Sequence, residues 1–312
     1  MKPLVSIIIP TYLRFNLLVI TLDSIINQNY RNWECIIIDD GSDEITIERI
    51  KKYIKKDSRI KLLSRLSTSP KGPSACRNLG LQNAKGKYVQ FFDDDDYMYR
   101  NLLENKIKII ECKGSDVLVS PLDFFSIEKN KVVFKNTVFS NDIIKAYILG
   151  EISWYVSGPL WRKSFLIERF DEVVQTLDDW DFNLRNIYKK PNIDFTRDSY
   201  QKYNLYEKGN TLSTLAQNGD EKQINSVFYV YSKHFLLLKV NKELTKDIFI
   251  RFYKLLTPLL RESLMLNIAV SNKIFYFLLK NIRISTIPKF IKVFIGFYAY
   301  KIFNKGYRLV KF

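Results

Sequence analysis

A single histidine, His234, occurs among 312 residues. No histidine-based triad or multi-histidine metal site can be built from it. It falls in a helical pattern and reads as structural. The three cysteines, Cys35, Cys76 and Cys112, form no CxxC pair and leave an odd number. They argue against a disulfide framework or zinc site and for a reducing cytosol. No uninterrupted apolar run reaches the length of a transmembrane helix. Lys2 ahead of the apolar residues 4–9 imitates a signal peptide, but the run is too short, Pro10 ends it and no small-residue cleavage site follows. No GxGxxG follows that run, which disfavours a dinucleotide-binding domain. Acidic residues stop at Glu262, while Lys and Arg continue to the end of a chain of net charge +16. That asymmetry points to an anionic partner: nucleic acid, a membrane surface or a phosphorylated substrate.

What is present is a run of four aspartates, Asp93, Asp94, Asp95 and Asp96, directly after an apolar stretch at 88–92. Adjacent carboxylates repel, and a solvated acidic loop is the plain alternative. A hard divalent cation gives a reason to gather them, because Mg²⁺ or Mn²⁺ takes oxygen ligands and bridges carboxylates to substrate phosphates. The carboxyl end of a strand is also where open α/β sheets bind ligands. Strands are expected over 4–9, 33–38, 59–63, 88–92 and 117–120, separated by helices over 15–27, 44–55, 74–83 and 100–112. Such alternation implies βαβ units and a mostly parallel sheet. With 46% hydrophobic residues, the chain can fill one large core with an appendage, or two domains. From about residue 218 strands stop, and helical periodicity takes over with Lys and Arg among Phe, Tyr, Leu and Ile.

Five segments in this order carry a resemblance: SIIIPTY at 6–12, IDDGSD at 38–43, KGPSACRNLG at 71–80, AKGKYVQFFDDDD at 84–96 and LDDWDF at 177–182. Each is weak alone. Together, over roughly residues 3–215, the chain resembles family 2 glycosyltransferases of the glycosyltransferase A-type fold. The resemblance implies an α/β fold: a mostly parallel Rossmann-like sheet with a C-terminal helical, basic, amphipathic extension. It implies a catalytic domain over 1–217, with a nucleotide-binding half at about 1–120 and an acceptor half at about 121–217, followed by a helical region over 218–312.

The same resemblance implies roles. Pro10, Thr11 and Tyr12 close the first strand where a base can be held. Asp39 accepts a hydrogen bond from the uracil or ribose, although its Gly41 and Ser42 neighbours also suit a turn and a helix cap. Lys71 and Gly72 pass close to the donor. Arg77 either reaches the diphosphate or forms an ion pair with the Asp cluster, and Asn78 buttresses the same region. Asp93 and Asp95 are the D-x-D pair, with Asp95 the first choice of metal ligand and Asp93 or Asp94 facing the ribose and diphosphate. Four like residues leave that register open by one position, and Asp96 lies behind the others or starts the next helix. The family usually has Glu-Asp where this chain has Asp178-Asp179, so Asp178 departs from the pattern. Asp179 matches the catalytic base. Trp180 stacks on a sugar or packs in the core, and Asp181 supports its helix through Arg185. Gly158, in the aromatic turn at 154–161, lines the acceptor site, with a packed meander the other reading.

The implied reaction is an inverting transfer from a nucleotide-diphosphate sugar, UDP by family habit, with Mn²⁺ or Mg²⁺ as cofactor and no enzyme nucleophile. The acceptor is a saccharide, on a polyprenyl-diphosphate lipid if the protein builds bacterial O-antigen, capsule or exopolysaccharide. The aromatic and basic tail at 287–312 fits an anionic bilayer, or packs its apolar face on protein. The location is then cytoplasmic, on the inner face of the plasma membrane. The processive synthases of the family carry a QxxRW motif and transmembrane helices. Neither occurs here, so a single-addition enzyme is expected. Nucleic acid is not expected, because the basic excess lies in the apolar tail and not around the acidic site. A nucleic-acid or nucleotidyl-transferring metal enzyme and a non-catalytic membrane scaffold are the alternatives.

Overall fold

Runs of isoleucine dictate the centre of the fold. In the computed structural model, which describes residues 2–206 and 220–311, β1 (Val5–Thr11) and β2 (Trp33–Asp39) are buried along almost their whole length. Strands covered on both faces read as continuous apolar runs. A seven-stranded sheet forms around them. β3 (Ile60–Ser64) pairs parallel to β2, and β4 (Tyr88–Phe91) lies parallel on the other side of β1. Then come β9 (Pro159–Arg162), antiparallel to both neighbours, β6 (Val117–Val119) and β10 (Ile193–Phe195), parallel to β6. The order is β10-β6-β9-β4-β1-β2-β3, so the fold is α/β and the sheet mostly parallel, as expected.

Helices cover both faces. Val5, Ile7, Ile9, Cys35 and Ile37 share one apolar cluster with Leu18, Leu22 and Ile25 of α1 (Phe15–Ile26), Ile50 of α2 (Glu44–Ile54) and Leu103 of α4 (Leu102–Lys113). On the opposite face α3 (Pro73–Asn83) lies so close that a Cβ on Gly80 would stand 2.8 Å from Ile38 Cδ1 and closer still to Ile8. Phe182 of α6 (Asp178–Ile187) meets Phe91 edge-on at 5.5 Å and stacks on Phe170 at 3.9 Å. β2 lies on one side of β1 and β4 on the other. This reversal of strand order leaves a crevice at the carboxyl ends of β1 and β4, the usual ligand position of such sheets.

A second sheet was not foreseen. Its order is β5 (Tyr97–Met98), β11 (Gln201–Leu205), β7 (Asp123–Ser126), β8 (Lys131–Lys135), with β11 parallel to β7 and the other pairs antiparallel. A short α5 (Ile143–Leu149) precedes the turn into β9.

Of the described residues, 2–172 and 178–206 form one compact unit, and 173–177 with 220–311 form another. The boundary expected at 217–218 lies outside the described residues. The second unit contains α7 (Glu221–Val240), α8 (Lys246–Met265), α9 (Val270–Lys280) and α10 (Ile287–Phe303). Phe235 lies against Phe249, Phe252 and Phe277, and Phe275 stacks on Phe297 at 3.9 Å. His234 is buried inside α7.

Candidate active site

The carboxyl ends of β1 and β2 are level, with Thr11 paired to Asp39. Asp39 Oδ2 accepts from the Gly41 and Ser42 amides, both at 2.9 Å. Its Oδ1 is buried and has no hydrogen-bond partner among the described residues. A buried acceptor left open is costly unless a ligand fills it. Ser42 Oγ accepts from the Leu13 amide at 2.8 Å, tying the two strand exits together. Asp43 provides the side-chain cap of α2 through Thr46 N at 2.7 Å. Asp40 pairs with Arg65. Tyr12 is partly exposed, and Lys71 Nζ lies 3.6 Å from its ring centre. Gly72 precedes α3 at φ +138°, a conformation that side chains rarely adopt.

The aspartate run follows β4 and is held from several sides. Asp94 accepts from Thr11 Oγ1 at 2.7 Å and from Arg14 at 3.3 Å, and Arg14 also reaches Asp95 at 3.1 Å. The Asp95 carbonyl accepts from Asn204 of β11 at 2.5 Å, and the Asp96 carbonyl from Thr21 of α1 at 2.7 Å. Asp96 itself points into the protein, where Ser157 Oγ donates to it at 3.1 Å and burial, then its aspartate neighbours, raise its pKa well above the ordinary range. Burial, with the charge of Asp95, pushes Asp94 up to about 7, against Thr11 and Arg14. Burial and Asp93 also raise Asp95.

The second acidic centre begins α6. Leu177, at φ +67°, turns the chain into the helix, whose first turn holds Asp178, Asp179 and Asp181 and so favours its own dipole. Burial, then the charge of Asp178, pushes Asp179 up to about 7, while Arg77 opposes the rise. Asp179 Oδ1 accepts from the Trp180 amide at 2.7 Å. Asp181 is buried and paired with Arg185 at 2.7 Å, as expected.

Arg77 joins the two centres. From α3 its guanidinium reaches Asp93 at 2.7 Å and Asp178 at 2.6 Å, buried and facing the Phe170 ring. Burial works against its charge, but the two carboxylates outweigh it and raise its pKa. Of the two readings left open, the ion pair is the contact observed. Asn78 holds the segment beneath, donating to Phe170 O at 2.9 Å and Glu172 at 2.8 Å and accepting from the Phe170 amide.

Gly158 and Trp180 are packed against their neighbours. Gly158 is buried, and its carbonyl accepts from Lys106 Nζ at 2.7 Å. That lysine is itself fully buried, and burial lowers its pKa to about 7. Trp180 is half-buried, with its ring at 26° to that of Tyr147. Tyr155 belongs to the aromatic turn already singled out, whereas Tyr203 and Asn204 had escaped notice. Tyr155 feels the charge of Asp179. Tyr203 feels Asp93, Asp96, Asp179 and Asp95, and Asn204 holds Asp95. The tyrosines at 200, 203 and 206 recur every third residue, so no strand alternation marks β11 in the sequence.

Among the described residues, no group of three or more His, Cys, Asp or Glu side chains is arranged to enclose a metal ion. The donors are carboxylates alone, which suits a hard cation held by one or two of them together with substrate phosphates.

Residues 6–169 match the model of the family described as "Glycosyl transferase family 2". An uncharacterized glycosyltransferase of Haemophilus influenzae is 42% identical over 135 residues, covering 43% of this chain and 53% of that protein. Matches to the first curated relatives span between 15% and 56% of their lengths. Among solved structures, S. aureus TarS 1–349 in complex with UDP-GlcNAc aligns with TM-score 0.57 and 20% identity over 84% of this chain and 81% of its own. The mannosyltransferase PcManGT of Pyrobaculum calidifontis, in complex with GDP-Man and Mn²⁺, aligns with TM-score 0.58 and 13% identity over 99% of this chain and 85% of its own. At such identities the likeness shows the shared fold, the glycosyltransferase A type.

Proposed function

We propose, from the premise that this chain belongs to glycosyl transferase family 2, that it is an inverting glycosyltransferase. The donor is a nucleotide-diphosphate sugar, UDP-linked in the first instance, and the acceptor a saccharide hydroxyl. The observation that carries this reading is the pair of carboxylate centres, one at the end of β4 and one at the start of α6, joined by Arg77.

The two centres have different tasks. The open Oδ1 of Asp39 accepts from the base or ribose, beside Pro10, Thr11 and Tyr12. Lys71, Gly72, Asp93 and Asp94 flank the donor. Asp95 and Asp93 would hold Mg²⁺ or Mn²⁺, which when bound would supply charge neutralisation for the departing diphosphate. Asp179 takes the acceptor proton as the acceptor oxygen bonds to the anomeric carbon. The bond to the diphosphate breaks with its electron pair leaving on the nucleotide. A carboxyl near 7 suits this role, because a substantial fraction of it is ionised at neutral pH and that fraction is basic enough to accept a proton. Asp178 and Arg77 set the charge around it. The names and titles of the relatives support the reading, TarS with UDP-GlcNAc and PcManGT with GDP-Man and Mn²⁺.

The helical region is read as a contact for an anionic bilayer, so that the acceptor is a sugar carried on lipid. In α10, Phe290, Val293 and Phe297 are buried, while Ile291, Phe294, Ile295, Tyr298 and Ile302 remain exposed as a second apolar stripe. Lys289, Lys292 and Lys301 flank it, and no acidic residue follows Glu262. Apolar insertion with basic flanks is the pattern of an interfacial helix. No helix among the described residues is long and apolar enough to cross a membrane.

The test is release of nucleoside diphosphate from UDP-, GDP- and dTDP-sugars, with Mn²⁺, by the native chain and by Asp179→Asn. One nucleotide class should be turned over by the first and not by the second. Turnover of none by a folded sample would remove the catalytic reading.

A further inference from the structure

The turn before β9 and the second sheet bring four aromatic rings together. Phe124 of β7 and Phe134 of β8 stack at 4.2 Å and 10°. Tyr155 lies 5.0 Å from Phe124, Tyr203 5.1 Å from Phe124, and the two tyrosines 5.2 Å from each other at 48°. Phe124 is buried, whereas Tyr155 and Tyr203 are half-buried. A tyrosine used for packing usually gives its hydroxyl a partner. Here neither hydroxyl has a hydrogen-bond partner among the described residues, although Tyr147 and Tyr99 nearby do, through Trp154 O and Asp123.

The charges around these two rings say where they stand. Tyr155 feels Asp179, and Tyr203 feels Asp179 together with Asp93, Asp95 and Asp96. Packing alone explains Phe124 and Phe134. It gives no reason for two partly exposed aromatic faces with unused hydroxyls next to both acidic centres. The apolar C–H face of a pyranose covers an aromatic ring well, and its hydroxyls take hydrogen bonds from groups at the ring edge.

We propose that Tyr155 and Tyr203 form the acceptor-sugar subsite, a two-ring platform on Phe124 and Phe134 that presents a pyranose hydroxyl to Asp179. The assignment rests on the glycosyltransferase reading above. The ligand class is a neutral pyranoside. The rings bind it and the phenol hydroxyls orient it, while the chemistry stays with Asp179.

The test uses saturation-transfer NMR on the full chain, with the methyl glycosides of glucose, galactose and N-acetylglucosamine as probes. Measurements are made with and without whichever of UDP-glucose, GDP-mannose and dTDP-glucose binds by calorimetry. At least one glycoside should bind, and the bound donor should leave its signal in place. Tyr155→Leu and Tyr203→Leu should each weaken the glycoside by about 10-fold, the scale of one lost aromatic contact. Tyr203→Phe and Tyr155→Phe, which keep the ring and the packing, should weaken it by roughly 2- to 5-fold, the scale of one hydrogen bond. Nucleotide affinity should be unchanged in all four variants. Donor binding with no glycoside binding, unaltered glycoside binding in the leucine variants, displacement of the glycoside by the donor, or parallel loss of nucleotide and glycoside would each overturn the subsite. If the native chain binds no nucleotide, the glycosyltransferase reading fails, and the subsite with it.

Discussion

Asp179 and Arg77 carry opposite electrostatic loads. Burial and Asp178 hold the Asp179 carboxyl up to about 7, so its ionisation is unfavourable in the folded chain. Its folded pKa lies above the ordinary carboxylate value, so the folded state binds the extra proton. This contribution to stability is fully present only below about pH 4, the ordinary carboxylate value, and is lost as pH rises through about 7. Asp179→Asn should therefore melt higher than the native chain at pH 8, with a smaller difference at pH 5 and little at pH 4, a comparison that calorimetric melts at the three pH values make directly. The same variant should lose about 10²- to 10⁴-fold in kcat while binding nucleotide as before. The kcat of the native chain should fall as pH drops below about 7.

Arg77 is the converse case. Removing its cation leaves Asp93 and Asp178 facing each other without compensation, and breaking such a buried pair costs about 3–5 kcal/mol. Arg77→Met should thus lower Tm by roughly 10 °C. A variant that melts with the native chain would show the bridge to be idle. The acidic residues of both centres were legible because each sits at a strand end or helix start within a recognisable motif. Tyr203 and Asn204 were not, since only the pairing of β11 with β7, residues far apart in the chain, carries them to the aspartates. The carbonyl of Gly158, singled out for its turn, accepts from the buried amine of Lys106.

At the scale of elements, α3 is the piece on which the site hangs, because it presents Arg77 and Asn78 while its Gly80 rests on Ile8 and Ile38. Gly80→Ala pushes a methyl into both isoleucines, and overpacking of this kind costs about 1–3 kcal/mol. Chemical denaturation should report that loss. Chain that remains folded should keep its nucleotide affinity if the helix yields without tilting. The central strands and α1 to α4 were readable from periodicity alone, since strands buried on both faces and one-sided helices leave distinct patterns. The strands of the second sheet were not. They are two to five residues long, and β8 is exposed throughout, so no hydrophobic alternation marks it.

Across the whole molecule, charge is separated from the acidic site. The site gathers carboxylates on the first unit, and the basic, apolar stripe of α10 belongs to the second. Co-sedimentation should show binding to vesicles containing phosphatidylglycerol, weakened by salt and by Ile291→Ser with Ile295→Ser, and little binding to phosphatidylcholine alone. Equal binding to both, or none, would remove the interfacial role. Composition foretold this basic stripe, but the buried face of the same helix, Phe290, Val293 and Phe297, appears only once α9 is packed against it.

The central claim is that the crevice at the ends of β1, β2 and β4 binds a nucleoside diphosphate with a divalent cation. Titration calorimetry with UDP, GDP and dTDP, with and without Mn²⁺, tests it most directly. One nucleotide should bind in the presence of Mn²⁺, more weakly without it, and no longer after Asp95→Ala in a variant that keeps its native melt. No binding of any of the three by folded protein with Mn²⁺ present would contradict it.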